Sequence, residues 1–417
     1  MSINFWIVLL EWYEFSVYNA LIPYNIFGGK ADFVYYGFAL SALSFLARPA
    51  GAIYFGGISD KTSGLRLGLL LMCTSTVLMA LCPNIEALKP FWFGVCKIMH
   101  GFAIGGSYGT AYLSIYNKEE EKHRSKVNYR LAGIQTGWVY GMLMGEFTVL
   151  ILKMLVGNLN YTINMLKSIF SIDATINDYK IFFSMKPAPA FSQWGWRVAF
   201  GISALFGIFL YLRTNKIKTN KQPVENITIK VINYIKKNPY KFLCVFAVAS
   251  IDMILFHSWF TYHEVVQGIE NSALSLSVIS NIRKTMLIVL FPVFGLITDQ
   301  LNQILGKYRG NFIMLSGVCA MVTMFSLIKV PTIFWVLIST ITAAMCYGSI
   351  VAWVMRKLGK SADFMAGPVF NLSGAIIGGT IPLLAATLST NFGPAAAQWL
   401  TVGLITTSFL ALVVSGS

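Results

Sequence analysis

Charge is what this sequence has least of. Asp, Glu, Lys and Arg make up 12% of its 417 residues, and only 17 are acidic, where a soluble domain carries roughly 25% charge. With 56% hydrophobic residues, that scarcity excludes a soluble globular chain. Paired cysteines are also missing. Cys73, Cys82, Cys96, Cys244, Cys319 and Cys346 are scattered with no CxxC spacing, which argues against a zinc site and a disulfide framework. No G-x-x-x-x-G-K-[S/T] loop occurs and no polar stretch is long enough for a nucleotide-binding fold. An enzyme or an ATP-driven machine is therefore not expected, no cofactor is expected, and any work must draw on an ion or solute gradient. No basic segment precedes the first apolar run, which is too long for a cleaved signal. The strict alternation of a membrane barrel is absent.

What is present is a series of long apolar runs. Twelve are counted, near 5–27, 35–58, 66–82, 91–115, 130–155, 195–212, 241–262, 275–297, 311–328, 332–354, 364–389 and 395–414. Runs of about 20 apolar residues read as membrane spans, and lipid forces them to be helical because it cannot satisfy an open sheet edge. The formal charge of +15 is not a nucleic-acid stripe. Five inter-span loops hold 20 of the 32 basic residues, and the alternate loops hold six. That asymmetry places the basic loops in the cytoplasm, with both termini on the same side, so the expected location is a bacterial cytoplasmic membrane.

The spans divide into 1–212 and 241–417 around a polar, basic linker, 213–240. Within the linker, 227–237 can form a short amphipathic helix or a solvated tether. An internal echo supports two related halves: Gly56-Gly-Ile-Ser-Asp60-Lys61 follows the second run, and Gly295-Leu-Ile-Thr-Asp299 the eighth. Repeat-built halves around a midplane site are typical of secondary transporters. Gly101, Gly105 and Gly109 in span four and Gly133, Gly137, Gly141 and Gly145 in span five recur one turn apart, and this spacing is read as close helix packing. Gly367, Asn371, Gly374, Gly378 and Pro382 line one stripe of span eleven. Residues 156–193 form a long external connection, either a flap or an insertion without a role. The sequons at Asn160 and Asn226 carry no weight.

Glu11 and Glu14 share one face of the first run, with Tyr18 a turn further. A charge within a span is expensive and belongs in a protein interior or wet cavity. From the cytoplasmic end they lie roughly 12 and 16 Å deep, and Arg48 in span two is also about 16 Å deep. Either glutamate can therefore meet Arg48, as a coupling pair or as a static one. The same arithmetic opposes Lys97 to Glu146, and Asp252 to Arg283 or Lys284. His100 and His257 can relay protons or simply be hydrogen-bonded in the core. Of the aromatics Trp12, Tyr13, Tyr18, Tyr108, Tyr112, Trp138, Tyr140, Trp259, Tyr347 and Trp353, most must be lipid-belt or packing residues, and a few can hold a quaternary ammonium; spacing does not say which.

These motifs together resemble the metabolite:proton symporter family of the major facilitator superfamily, over nearly the whole chain. The resemblance is carried by Glu11-Trp-Tyr-Glu-Phe-Ser-Val-Tyr18, by Phe45-Leu-Ala-Arg48-Pro-Ala-Gly51, by Trp194-Gly-Trp-Arg197 and by Asn371-Leu-Ser-Gly-Ala-Ile-Ile-Gly378-Gly-Thr-Ile-Pro382. The chain departs from that family at Asp60-Lys61-Thr-Ser-Gly64-Leu-Arg66, one residue longer and one basic group poorer, and at Gly105-Gly106-Ser107, where the family has Gly-Gly-Glu. The coiled-coil extension of osmosensing relatives is not expected. The resemblance implies an all-α membrane protein with twelve transmembrane helices in two pseudo-symmetric six-helix bundles. It implies symport of a small carboxylate-bearing solute, proline or betaine first and organic acids next, by a monomer in the bilayer without nucleic acid. Glu11 and Glu14 would carry the proton. Arg48, Tyr18, Lys97, His100, Asp252, Arg283 and Asn371 would bind substrate. Asp60, Lys61, Arg66 and Asp299 would gate the cytoplasmic face. An uncoupled facilitator and a membrane sensor are the alternatives.

Overall fold

A computed structural model describes residues 3–22, 26–27, 33–58, 61–122, 126–156, 191–214, 226–256, 276–306, 308–326, 328 and 332–416. Every regular element among them is helical. The helices are α1 (Ile3–Leu21), α2 (Phe33–Gly56), α3 (Lys61–Ala80), α4 (Lys89–Lys122), α5 (Val127–Leu155), α6 (Trp196–Thr214), α7 (Ile227–Lys237), α8 (Pro239–Ala249), α9 (Leu276–Leu305), α10 (Arg309–Ser326), α11 (Thr332–Tyr347), α12 (Ile350–Leu358), α13 (Ala362–Ser373), α14 (Gly379–Phe392) and α15 (Pro394–Gly416). Each of the twelve expected spans falls on a helix, with α11–α12 and α13–α14 each forming one broken span. A π-turn at Gly374–Gly378 makes the second break. Seven helical stretches among the described residues are long and apolar enough to cross a membrane. Their outward faces carry bare apolar side chains such as Leu205 and Val289, as a lipid-facing surface requires. The external segment considered for a flap lies almost wholly outside the described residues, as do Asp60 and His257.

The glycine ladders act as packing seams except at Gly133, where nothing lies within 4 Å of the missing β-carbon. A β-carbon on Gly101 or Gly105 would collide with the backbone carbonyl of Ser44 or Arg48 on α2, and one on Gly145 would come within 2.7 Å of the Tyr13 carbonyl on α1. Only glycine lets these helix axes approach so closely. The closest helix pairs of the first half are thus α2 with α4 and α1 with α5, and α3 packs on α4 and α6. In the second half α15 packs on α8 and α10, and α9 on α11. Contacts between the halves run through α5 on α9 and through α2 and α4 on α13. These pairings hold Glu11 and Arg48 at one level.

Arg197 of the Trp-Gly-Trp-Arg motif donates to the Gln193 carbonyl (2.6 Å) and the Cys82 carbonyl (2.7 Å). It ties the start of α6 to the end of α3. The amphipathic stretch is a helix, α7, started by Asn226, whose side chain accepts from the Ile229 amide (3.2 Å). It is docked and not a free tether: Val231 is buried, and Tyr234 packs edge-on against Phe364 of α13 (6.0 Å between ring centres).

Candidate functional site

α1 is buried along nearly its whole length, so its two carboxylates have no water to lean on, and each finds its own partners. Glu11 pairs with Arg48 at 3.3 Å, and the guanidinium also lies over the Phe45 ring, 4.3 Å from its centre. Phe45 reaches the second half, 3.7 Å from the β-carbon that Gly374 lacks. The Glu11–Arg48 pair thus borders the seam between α2 and the broken span α13–α14.

Glu14 points the other way. It accepts from the Thr76 hydroxyl of α3 (2.7 Å), from the Ser203 hydroxyl of α6 and pairs with the His100 ring of α4. The expectation that either glutamate could meet Arg48 resolves in favour of Glu11. One helical turn carries two carboxylates into separate surroundings because i and i+3 differ by about 60° around the axis.

Two expected ion pairs are corrected. Lys97 does not meet Glu146; its ammonium lies over the Tyr18 ring, 3.4 Å from the centre. That ring is sealed, stacked on Phe27, and its hydroxyl donates to the Gly37 carbonyl (3.1 Å). Glu146 instead pairs with Lys284 of α9, so Lys284 is not the partner of Asp252. Asp252 accepts from the Met253 amide (2.7 Å). Asp252 and Arg283 are both buried. Depth along a helix gives height but not direction around the axis, and the direction chose these partners.

The halves are also joined where α5 begins and α9 ends. Asp299, near the end of α9, accepts from the backbone amides of Asn128 (3.1 Å) and Tyr129 (2.9 Å) and from the Asn128 side chain (2.8 Å). It caps the first turn of α5 in place of Lys126, whose side chain makes no cap. A carboxylate at a helix start satisfies orphan donors and suits the dipole. Asn311 donates to the Asn128 side chain (2.8 Å) and accepts from Arg356 (3.0 Å). Asn371 of α13 donates to the Gly105 carbonyl of α4 (3.1 Å). Arg66 donates to the Thr214 carbonyl at the end of α6 (2.7 Å), inside the first half. The side chain of Lys61 lies outside the described residues. A small cleft opens between α2, α4 and α13, lined by Ala52, Gly105, Asp363 and Gly367 among others. Among the described residues no group of three His, Cys, Asp or Glu side chains could hold a metal ion.

This arrangement has known counterparts. The Major Facilitator Superfamily model matches residues 188–366. A Staphylococcus aureus (strain COL) protein described as a candidate proline/betaine transporter is 26% identical over 98% of this chain and 86% of its own length. The Escherichia coli (strain K12) shikimate transporter is 22% identical over 98% of this chain and 92% of its own. Among solved structures, the E. coli fucose:proton symporter FucP superposes with a TM-score of 0.62 at 14% identity, covering 100% of this chain and 98% of that one. The proton:xylose symporter XylE gives 0.61 at 14%, covering 99% and 93%. The chain shares the fold of these two symporters. It is a multi-pass membrane protein with their twelve-helix architecture.

Several residues that shape the site were not singled out from sequence. Thr76 and Ser203 hold Glu14, but hydroxyls in membrane helices are common and usually bond their own backbone, as Thr76 also does to Met72 (2.9 Å). Asn128 and Asn311 form the junction at the start of α5. Their signal was present but unread: an asparagine one residue into an apolar helix is costly unless it has a partner.

Proposed function

We propose that this secondary transporter moves a small carboxylate-bearing solute together with protons, by alternating exposure of a site between the halves 1–212 and 241–417, with 213–240 as the joint. Proline or a betaine is the first candidate and an organic acid the second. The observation that carries the reading is the sealed Glu11–Arg48 pair at the seam between the halves. A buried pair is stable only while both charges are present. A proton on Glu11 would break its pair with Arg48, and a solute that binds better to the broken pair would in turn favour the protonated acid. That reciprocity is coupling. The Glu14, His100, Thr76 and Ser203 cluster lies one turn away as a second proton-holding group, walled by α3, α4 and α6. We place the chain in a bacterial cytoplasmic membrane, as a monomer, with both termini inside.

The experiment that tests the reading is a thermal-shift screen of the purified chain against amino acids, betaines and di- and tricarboxylates at two pH values. A stabilising solute whose effect depends on pH supports it; no stabilising solute at either pH contradicts it.

Asp299 supplies a second check. Losing this cap should cost the cytoplasm-closed state about 1–2 kcal/mol, a shift of roughly tenfold in the open-to-closed ratio. Asp299→Ala is therefore expected to raise the labelling rate of a cysteine introduced at the buried Ala132, which faces Gly295 of α9, by a cytoplasm-side, impermeant maleimide. An unchanged rate would remove Asp299 from the latch.

A further inference from the structure

Six aromatic rings from both halves meet at one level of the membrane. Trp138 of α5 is at the centre, 5.6 Å from Trp12 of α1, 5.4 Å from Phe291 of α9, 5.3 Å from Tyr347 of α11 and 6.0 Å from Phe256 beyond α8. Phe15 joins through Trp12 (5.2 Å). Counted from the cytoplasmic helix ends, Trp12 and Trp138 lie roughly 14 and 17 Å deep, beside Glu11 and Arg48 and near the middle of the bilayer. Packing alone would explain rings, but it does not explain the polar atoms among them. The indole N–H groups of Trp12 and Trp138 and the side-chain amide nitrogen of Gln135 are buried and find no acceptor among the described residues. Gln135 and Trp138 are i,i+3 on one face of α5. Buried donors are nearly always satisfied, and three unsatisfied at one level point to an acceptor supplied from outside the chain.

The charges around this cluster narrow what that acceptor belongs to. Glu11 is cancelled by Arg48, and Glu146 by Lys284; the buried Asp252 and Arg283 oppose each other in sign. With these pairs intact, a cargo with net charge would enter a neutral, water-poor interior uncompensated. A cargo carrying one charge of each sign would not. Ring faces attract an onium head, and N–H donors suit a carboxylate.

We propose that the rings around Trp138, with the donors of Trp12, Trp138 and Gln135, are the cargo seat, and that it takes a net-neutral zwitterion, onium head on the rings and carboxylate on the donors. This rests on the carrier reading above and adds to it the residues and the charge type of the cargo.

The test is binding, read by tryptophan fluorescence and thermal shift on the full chain in lipid nanodiscs, with glycine betaine, choline and succinate as probes. Glycine betaine is expected to bind at least about 10-fold more tightly than choline or succinate, the scale set by losing one favourable pole of the ligand. Trp138→Phe keeps a ring face and removes a donor. It should weaken glycine betaine about 10-fold and choline less than about 2-fold, since only the former presents an acceptor. Trp138→Leu should weaken both. Succinate binding as well as glycine betaine, or glycine betaine binding equally to wild type and Trp138→Leu, overturns the seat. Glycine betaine binding with no uptake into vesicles leaves the seat standing and defeats the carrier reading. Uptake of another carboxylate without glycine betaine binding does the reverse.

Discussion

Glu11→Gln is expected to cut solute uptake on the order of 100-fold while raising the amount of misfolded chain, because one partner of a buried pair is removed at a cost of about 3–5 kcal/mol. The companion variants separate the two effects. Adding Arg48→Gln to Glu11→Gln removes both charges, so folded yield and thermal stability should recover most of what the single change lost, with uptake remaining at the level of the single variant. A static pair behaves differently: the double variant would recover uptake along with stability. Glu14→Gln provides the contrast. Its carboxylate is held by Thr76, Ser203 and His100, away from the seam, so its loss should lower thermal stability with a smaller loss of uptake than Glu11→Gln. Uptake by Glu11→Gln at the wild-type rate would show that the pair has no part in transport.

Gly141→Val is expected to destabilise the chain by at least the upper end of the roughly 1–3 kcal/mol usual for overpacking. A β-carbon at Gly141 would run into the Leu9 carbonyl and come 2.8 Å from the Tyr13 amide. The obstacle is backbone, which cannot rotate away, so α1 and α5 would have to separate and carry Glu11 off its level with Arg48. Gly133, on the same helix, is the control. Nothing lies within 4 Å of its missing β-carbon, so Gly133→Ala should be neutral or stabilising by up to about 1 kcal/mol, the helix-propensity difference. Thermal unfolding in detergent, followed by fluorescence, reads both. Equal melting temperatures for Gly141→Val and Gly133→Ala would contradict the close α1–α5 seam.

Much of this was legible in the sequence, and the rest was not for definite physical reasons. The spans could be read because lipid imposes length and apolarity on each segment independently of its neighbours. The glycine ladders could be read as seams because a repeat of four residues is already a contact geometry. Glu11 and Glu14 declared themselves by cost alone. The partners did not. Lys97 and Glu146 have suitable charges at suitable heights, yet Lys97 lies over Tyr18 and Glu146 meets Lys284. Asp299 was visible as part of an echoed motif, but its acceptor role is toward backbone amides at Asn128 and Tyr129, and amides leave no trace in residue identity. The ring cluster around Trp138 gathers residues from five spans, and no periodicity within one span reports on another.

The measurement that bears most directly on the account is uptake of radiolabelled glycine betaine into vesicles reconstituted with the purified chain, with and without an imposed inward proton gradient. The account predicts accumulation above the external concentration in wild type only when the gradient is present, and none in Glu11→Gln under either condition. Wild-type uptake that only equilibrates, at the same rate with and without the gradient, would contradict it and leave an uncoupled facilitator.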